Sequence, residues 1–328
     1  MAVVIIMENS RSAIFALYHV LCRFSSREEP LSIEKIRALL KQEHSLSLTR
    51  TTLRSYLKAL DDFGIRIAAV PGGRYLAGRQ FEESEVYLLS NAVHSAHFIS
   101  SAQSEALIRK LLATQSRSFE KQFHESVHLE NRRKINSPAL LQNIETLLSA
   151  IQQRKAVTFA YLHYDLRKQL VPKRQKPYHV YPYFMVMEND NVYLLCKSPS
   201  HPEHFAHYRM DKITDIDMTA ETIPPLDDDM DPYTYTAQRK FMYSDAVDTI
   251  TLRCHLRMLD DLIDQFGSAL SLAPADDEHF LAHLHASRQG IVYLALQYAR
   301  YCEILQPADL RQEVISILQD TLKRYEIE

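Results

Sequence analysis

Tryptophan is absent from this 328-residue chain, and glycine occurs only six times. No glycines fall into a G-x-G-x-x-G or G-x-x-x-x-G-K pattern, which excludes the common loops that cradle nucleotide phosphates. Cysteine is scarce too: Cys22, Cys196, Cys254 and Cys302 lie far apart without paired spacing. That pattern fits free thiols in a reducing cytoplasm, and it excludes a disulfide framework or a zinc knuckle. No apolar run approaches the roughly 20 residues that span a bilayer, so no membrane partner is expected. Ala2 to Met7 is apolar but lacks a basic flank and a cleavage site. It reads as a buried N-terminal extension and not as a signal peptide.

What is present is a globular composition, 46% hydrophobic and 24% charged, at a length that calls for two or three domains. The net charge of −3 hides a segregation. Residues 1–80 carry 12 Lys+Arg against 7 Asp+Glu, whereas residues 223–328 carry 9 against 18. A basic binding domain joined to an acidic effector or oligomerisation domain produces such a division.

In the basic segment, Ile14, Leu17 and Leu21 recur at helical spacing, as do Ile33, Ile36 and Leu40, with Ser32 as the expected N-cap. Leu53, Leu57 and Leu60 mark a third helix ending near Gly64, and Glu43 to Ser47 forms the turn before it. Two short strands around Pro71-Gly72-Gly73 follow. Three helices and a hairpin predict a winged helix-turn-helix over residues 10–80. The face that the third apolar stripe leaves free carries Thr49, Arg50, Thr51, Thr52, Arg54, Ser55 and Lys58. These groups suit guanine edges and phosphates, and Arg74 is placed at the hairpin tip to reach a minor groove. Double-stranded DNA is therefore the expected partner.

Residues 81–137 read as a helical connector, with Leu88, Leu89, Leu107, Leu111 and Leu112 as packing positions. Within it, His124-Glu125-Ser126-Val127-His128 matches H-E-x-x-H, so a zinc-dependent hydrolase is the alternative reading. Against it stand 15 histidines in the chain and polar flanks at Lys121 and Arg132 to Lys134. No enzyme, metal or cofactor is expected. A helix after Pro138 carries Leu141, Ile144, Leu147, Leu148 and Ile151. From Val157 the pattern alternates as strands, through Tyr178 to Met187 and Val192 to Lys197, with a turn at residues 188–191. Arg167, Lys168, Lys173, Arg174 and Lys176 are interleaved there with Tyr164, Tyr178, His179, Tyr181 and Tyr183. This mixture suits an anionic, stackable ligand or a guarded strand edge.

After a linker at 223–244 rich in Pro224-Pro225 and Asp227 to Asp229, residues 245–328 alternate strand and helix. Ile250, Leu252 and Cys254 form a strand; Met258, Leu259, Leu262, Ile263 and Phe266 form a helix closed by Gly267. His279, His283 and His285 are placed on the solvent side of a second strand. A helix near Gly290, a strand at Cys302 to Leu305 and a final helix complete a ferredoxin-like α/β domain.

Several segments resemble the bacterial WYL-domain transcriptional regulators. Leu48 to Leu53 and Leu57 to Ile65 are similar to that family's recognition helix and its exit. Val180-Tyr181-Pro182-Tyr183 resembles its proline-bearing strand, Val192-Tyr193-Leu194 its naming tripeptide, and Tyr208 to Ile213 its Phe-Arg-x-Asp-Arg-Ile segment. Glu303 to Pro307 with Leu310-Arg311 resembles its C-terminal extension. Val192 replaces the family tryptophan, Lys212 a common arginine, and Ser55-Tyr56 a frequent Arg-Asp. The resemblance implies a multidomain α+β chain: winged helix, helical connector, an Sm-like β-barrel over 138–222 and the C-terminal extension. It further implies a barrel whose basic pocket binds an anionic effector, a nucleotide or single-stranded nucleic acid; one winged helix reads only a few base pairs by itself, so a ligand-responsive cytoplasmic homodimer is expected. Carried over by position, Tyr193, Arg209 and Lys212 would line that site, with Asp211 orienting a basic neighbour. Tyr181 and His179 join them from the aromatic tract.

Overall fold

The computed structural model describes residues 10–126, 134, 139–188, 190–226, 230–239, 241–267 and 270–325. Ala2 to Met7, His128, Pro138 and Asp227 to Asp229 lie outside the described residues. The chain divides into two compact units, residues 1–136 and 137–328.

The first unit opens with α1 (Ser10–Phe24), α2 (Ile33–His44), α3 (Arg50–Asp62), β1 (Ile67–Val70) and β2 (Gly73–Leu76). Side-chain caps set the helix starts. Ser32 Oγ accepts from the Lys35 amide at 3.2 Å, and Thr49 Oγ1 accepts from the Thr52 amide at 3.2 Å, satisfying donors that have no partner within the helix. Leu17, Leu21, Leu31, Ile36, Leu40, Leu53, Leu57, Leu60 and Leu76 bury their side chains in one cluster. Each such burial contributes about 1.5–3 kcal/mol, far more than helix propensity does. The hairpin is locked to this core through its backbone: Leu31 and Arg74 exchange N–H···O bonds of 2.8 and 2.9 Å. Arg74 is therefore not at the hairpin tip. The tip is Pro71-Gly72, and Arg74 is the second residue of β2, opposite Ala69.

Three further helices, α4 (Glu83–Ser95), α5 (Ser101–Leu112) and α6 (Arg117–Ser126), enclose a second core of Val86, Ile108, Leu112, Phe119 and Phe123. Leu88 and Leu89, expected to pack, are 68% and 38% exposed; α4 instead buries Val86 and Ser90, one turn apart. Two arginines staple this layer to α1. Arg79 donates to the carbonyls of Cys22, Ser25 and Thr114 at 2.7–3.0 Å. Arg23 donates to those of Leu112 and Gln115 at 3.0 and 2.7 Å, and pairs with Glu120. Both satisfy carbonyls at helix C-termini, where the partial charge is negative.

The second unit begins with α7 (Leu140–Gln152), followed by β3 (Lys155–Tyr164), β4 (Leu170–Pro172), β5 (Tyr178–Glu188), β6 (Asn191–Ser198), β7 (His201–Arg209) and β8 (Ile213–Thr222). These strands form one antiparallel sheet. β3 pairs with β5 through Val157 to Phe159, with β4 through Leu162 to Tyr164, and with β8 along its other edge. β5 passes from β3 to β6 at Tyr181, and its register shifts between Pro182 and Phe184, where proline offers no ladder donor. The expected Sm-like barrel is not closed: among the described residues the pairing path β4-β3-β5-β6-β7 is open, with β8 branching from β3. A single 3-10 turn, Met210–Lys212, sends the chain from β7 to the far edge of β3.

α7 packs on this sheet with Leu140, Asn143, Leu147 and Ala150. Leu141 and Leu148, which the sequence places on the same helix, are exposed. The helix is turned so that Asn143 is buried and its amide donates to the Ile213 carbonyl at 2.8 Å. The segment read as a linker carries a short helix, α8 (Pro232–Ala237), clipped to the sheet. His207 on β7 bonds to the Tyr235 hydroxyl at 2.8 Å and to the Met242 carbonyl at 2.7 Å.

The chain ends with β9 (Val247–His255), α9 (Leu259–Phe266), β10 (Ser271–Pro274), β11 (His279–Ser287), α10 (Arg288–Gln297), β12 (Cys302–Gln306) and α11 (Ala308–Tyr325). The sheet order is β10-β11-β9-β12, antiparallel throughout. Each helical crossover thus skips over one strand, a split β-α-β arrangement. Along β11, Phe280, Ala282 and Leu284 are buried, while His279, His283 and His285 take the opposite face, as their alternation predicts.

Gly73 is required by a close approach. A Cβ there would lie 2.3 Å from the Leu31 carbonyl carbon. Gly73→Ala is expected to destabilise the first unit by about 1–3 kcal/mol through overpacking, measured by urea unfolding; unchanged stability would show that the hairpin is not held as described.

Candidate functional site

The first candidate surface is the outward face of α3. Arg50, Thr51, Arg54, Ser55 and Lys58 are exposed, while Leu53, Leu57 and Leu60 face the core. The sequence-predicted set is therefore brought together along one helix. Its members differ in what they already do. Thr49 and Thr52 share a hydroxyl–hydroxyl bond of 2.8 Å at the helix start, so both have a capping role. Arg50 forms an exposed ion pair of 2.7 Å with Glu34 on α2, worth at most about 1 kcal/mol and readily exchanged for a phosphate. Arg54 and Lys58 have no ion-pair partner among the described residues. The turn that presents this helix is fixed by Arg37, whose Nε donates to the Leu48 carbonyl at 2.7 Å.

The second candidate lies where β7 turns into β8. Asp211 is 3% exposed and accepts two bonds from Arg209, at 3.0 Å from Nε and 2.8 Å from Nη2. This bidentate geometry is the strong form of a charge-assisted bond. Burial opposes the guanidinium's charge, but the Asp211 bonds and carboxylate hold it above its ordinary pKa. Tyr193 stands opposite Arg209 in the β6–β7 ladder, and the Tyr161 hydroxyl accepts the Arg209 amide at 3.2 Å. Burial pushes both phenols up. Lys212 is held below its ordinary value, first by burial and then by repulsion from Arg209, with Asp211 opposing. It lies 5.9 Å from the Tyr164 ring centroid. Tyr193, Arg209 and Lys212 are thus assembled around one buried carboxylate.

Beside them is an aromatic cluster whose membership the sequence reading missed. Tyr208 lies edge-on to Tyr161 at 5.0 Å and to Tyr178 and Phe159 at 5.2 Å, and Phe159 stacks on Tyr178 at 5.7 Å. Arg174 covers the Tyr178 ring at 3.5 Å. The signal was the alternation Phe159, Tyr161 on β3, which places both side chains on one sheet face. His179 and Tyr181 do not join this group. Both reach Glu221, at 2.9 Å and 2.6 Å, and Tyr181 pairs with Lys197, four rungs from the Val186–Tyr193 pair. A carboxylate between them makes a poor anion site.

Residues 142–218 match the family model described as the WYL domain. This stretch of the chain is a WYL domain. Among solved structures it is similar to the proteasome accessory factor B/C (PafBC) of Arthrobacter aurescens, at 15% identity and a TM-score of 0.29, over 96% of this chain and 49% of that one. This chain therefore spans about half the length of that relative. It is also similar to a CRISPR Cas-related protein at 14% identity and a TM-score of 0.37, over 97% of this chain and 86% of that one. No curated protein matches the sequence.

Both halves of the Arg209–Asp211 pair lie inside the matched WYL span, as does the Val192-Tyr193-Leu194 tripeptide. Val192 is half-buried opposite Met187. The H-E-x-x-H segment lies outside the span: Glu125 is exposed and sits 3.8 Å from Lys121. Among the described residues no group of three or more His, Cys, Asp or Glu is placed to hold a metal ion.

Removing the carboxylate in Asp211→Ala should cost the WYL unit about 2 kcal/mol. That is less than the ~3–5 kcal/mol of a fully buried pair, because the Arg209 side chain keeps 28% exposure. Arg209→Met/Asp211→Leu should recover part of the loss; equal stability of Asp211→Ala and the native protein in urea would refute the pairing. His207 titrates below its ordinary 6.5, chiefly because it is buried, with the Met242 bond opposing and Arg239 adding. Its neutral form is the folded one, so its contribution is intact above about pH 6.5 and falls away as the pH drops below it. The stability difference between pH 7.5 and 5.5 should shrink in His207→Gln, and an unchanged difference would show that His207 does not couple to folding.

Proposed function

We propose that this WYL-domain protein is a transcriptional regulator that binds duplex DNA through α3 and an anionic effector beside Arg209. The observation that carries the reading is the outward face of α3, where Arg50, Arg54 and Lys58 stand exposed above three buried leucines in the basic part of the chain. Three helices followed by a hairpin are read as a winged helix-turn-helix over 10–80, with 81–137 as a helical connector. Arginines supply base-edge contacts; Thr51, Ser55 and Lys58 supply phosphate contacts. Arg74, on β2, is a flanking contact. The positive end of α3, capped by Thr49 and carrying no acidic residue in its first turn, favours a phosphate there.

The effector reading rests on Arg209 and Lys212 beside the Tyr161, Tyr178 and Tyr208 rings and Arg174. Cations for phosphate and ring faces for bases suit a nucleotide or a single strand of nucleic acid. One such module reads only a few base pairs, so the active form is taken to be a homodimer, with residues 245–328 as a ferredoxin-like assembly or gating domain.

Fluorescence anisotropy with DNA fragments selected by the protein tests the first half. Arg50→Ala and Arg54→Ala should each lose about 1–3 kcal/mol of binding if they contact bases, and Lys58→Ala should lower the salt slope by about one. Unchanged binding in all three variants would remove α3 as the DNA-reading element. For the second half, Arg209→Ala should abolish salt-dependent binding of labelled single strands, and Arg209→Met/Asp211→Leu, which removes the cation without leaving Asp211 buried and unpaired, should lose binding equally while keeping the native circular dichroism. Equal affinity for the single strand would remove the effector assignment.

A further inference from the structure

A cavity of about 460 Å³ opens in the first unit between α1, β2 and the start of the α5–α6 connection, in the range of small-molecule sites. Its wall carries three arginines, Arg23, Arg79 and Arg109, against one acid, Glu120. Two of the arginines are built in. Each guanidinium offers five N–H donors; Arg23 spends them on two carbonyls and Glu120, and Arg79 on three carbonyls, so each keeps donors for a further acceptor. Arg109 is exposed at the end of α5 and has no partner among the described residues. Tyr18, Leu76 and Ala113 supply apolar wall.

We propose that this cavity binds a small organic anion, a phosphate or carboxylate group carried on a ring or short apolar body. Planar guanidinium forks match both anionic heads through paired N–H···O bonds, and the tyrosine side of the cavity covers the body. The fixed staples Arg23 and Arg79 hold the site open, while Arg109 closes over the anion from the rim. His19, also in the wall, meets His44 edge-on with nitrogens 3.0 Å apart. His44 is the last residue of α2, so an occupant touching His19 is one contact from the turn into α3. This site is separate from the Arg209 site in sequence and in unit.

Calorimetric titration of the full-length protein with phenyl phosphate tests it, with phenol as the uncharged control. Saturable one-to-one binding of phenyl phosphate is expected, with no binding of phenol. Arg109→Gln should weaken binding at least tenfold without moving the thermal midpoint, because the exposed Arg109 side chain makes no hydrogen bond or ion pair among the described residues. Arg209→Ala should bind phenyl phosphate as the native protein does. The proposal is overturned by absent or non-saturable binding, by equal binding of phenol, or by loss in Arg209→Ala with retention in Arg109→Gln. The last outcome would assign the anion to the WYL sheet.

Discussion

The burial of Leu53, Leu57 and Leu60 fixes what the first unit can present to a partner. Three leucines on one helix must meet the core formed by Leu17, Leu21, Ile36, Leu40 and Leu76, and that constraint sets the rotation of α3 about its axis. Everything polar on the helix is then turned outward as one row. The hairpin is subordinate to the same core, since Leu31 is both a core residue and the backbone partner of Arg74. The unit thus displays a cationic surface because it cannot bury its leucines in any other orientation.

The second unit is organised around a different kind of constraint. A carboxylate as buried as Asp211 is costly unless fully bonded, and Arg209 supplies two bonds to it. The pair immobilises the guanidinium at the strand end where Tyr193 and Lys212 also lie. A positive group that is already oriented loses less conformational freedom on meeting an anion, which is the physical basis of the proposed effector site. Asn143 anchors the same turn from α7 through the Ile213 carbonyl.

Much of this was legible in the sequence, for physical reasons that differ by region. The leucine spacing defines α2 and α3 and Ser32 caps the first of them, whereas the Thr49 cap of α3 is seen only in the structure; strand alternation on β11 placed its histidines on the face opposite the core. The run Leu141, Ile144, Leu147, Leu148 and Ile151 marks α7 as a helix but not its buried face, which holds Leu147 together with a polar Asn143 whose partner is 70 residues away. Leu88 and Leu89 mislead: α4 buries Val86 and a serine. The edge strand Ser271–Pro274 is short and ends in proline, so it carries no strand pattern until β11 pairs with it. The Glu221 that claims His179 and Tyr181 is 40 residues beyond Tyr181, and no local spacing reveals it. The open path of the WYL sheet is a matter of long-range pairing, which alternation cannot specify.

The central claim is that α3 lies against the bases of a bound duplex. It is tested most directly by placing an iron chelate on a single cysteine introduced at Ser55, an exposed position on the outward face, and mapping cleavage of a bound DNA fragment. The account predicts strand scission confined to a few adjacent base pairs within the protected site. Uniform cleavage along the fragment, or none while the protein remains bound, would contradict it.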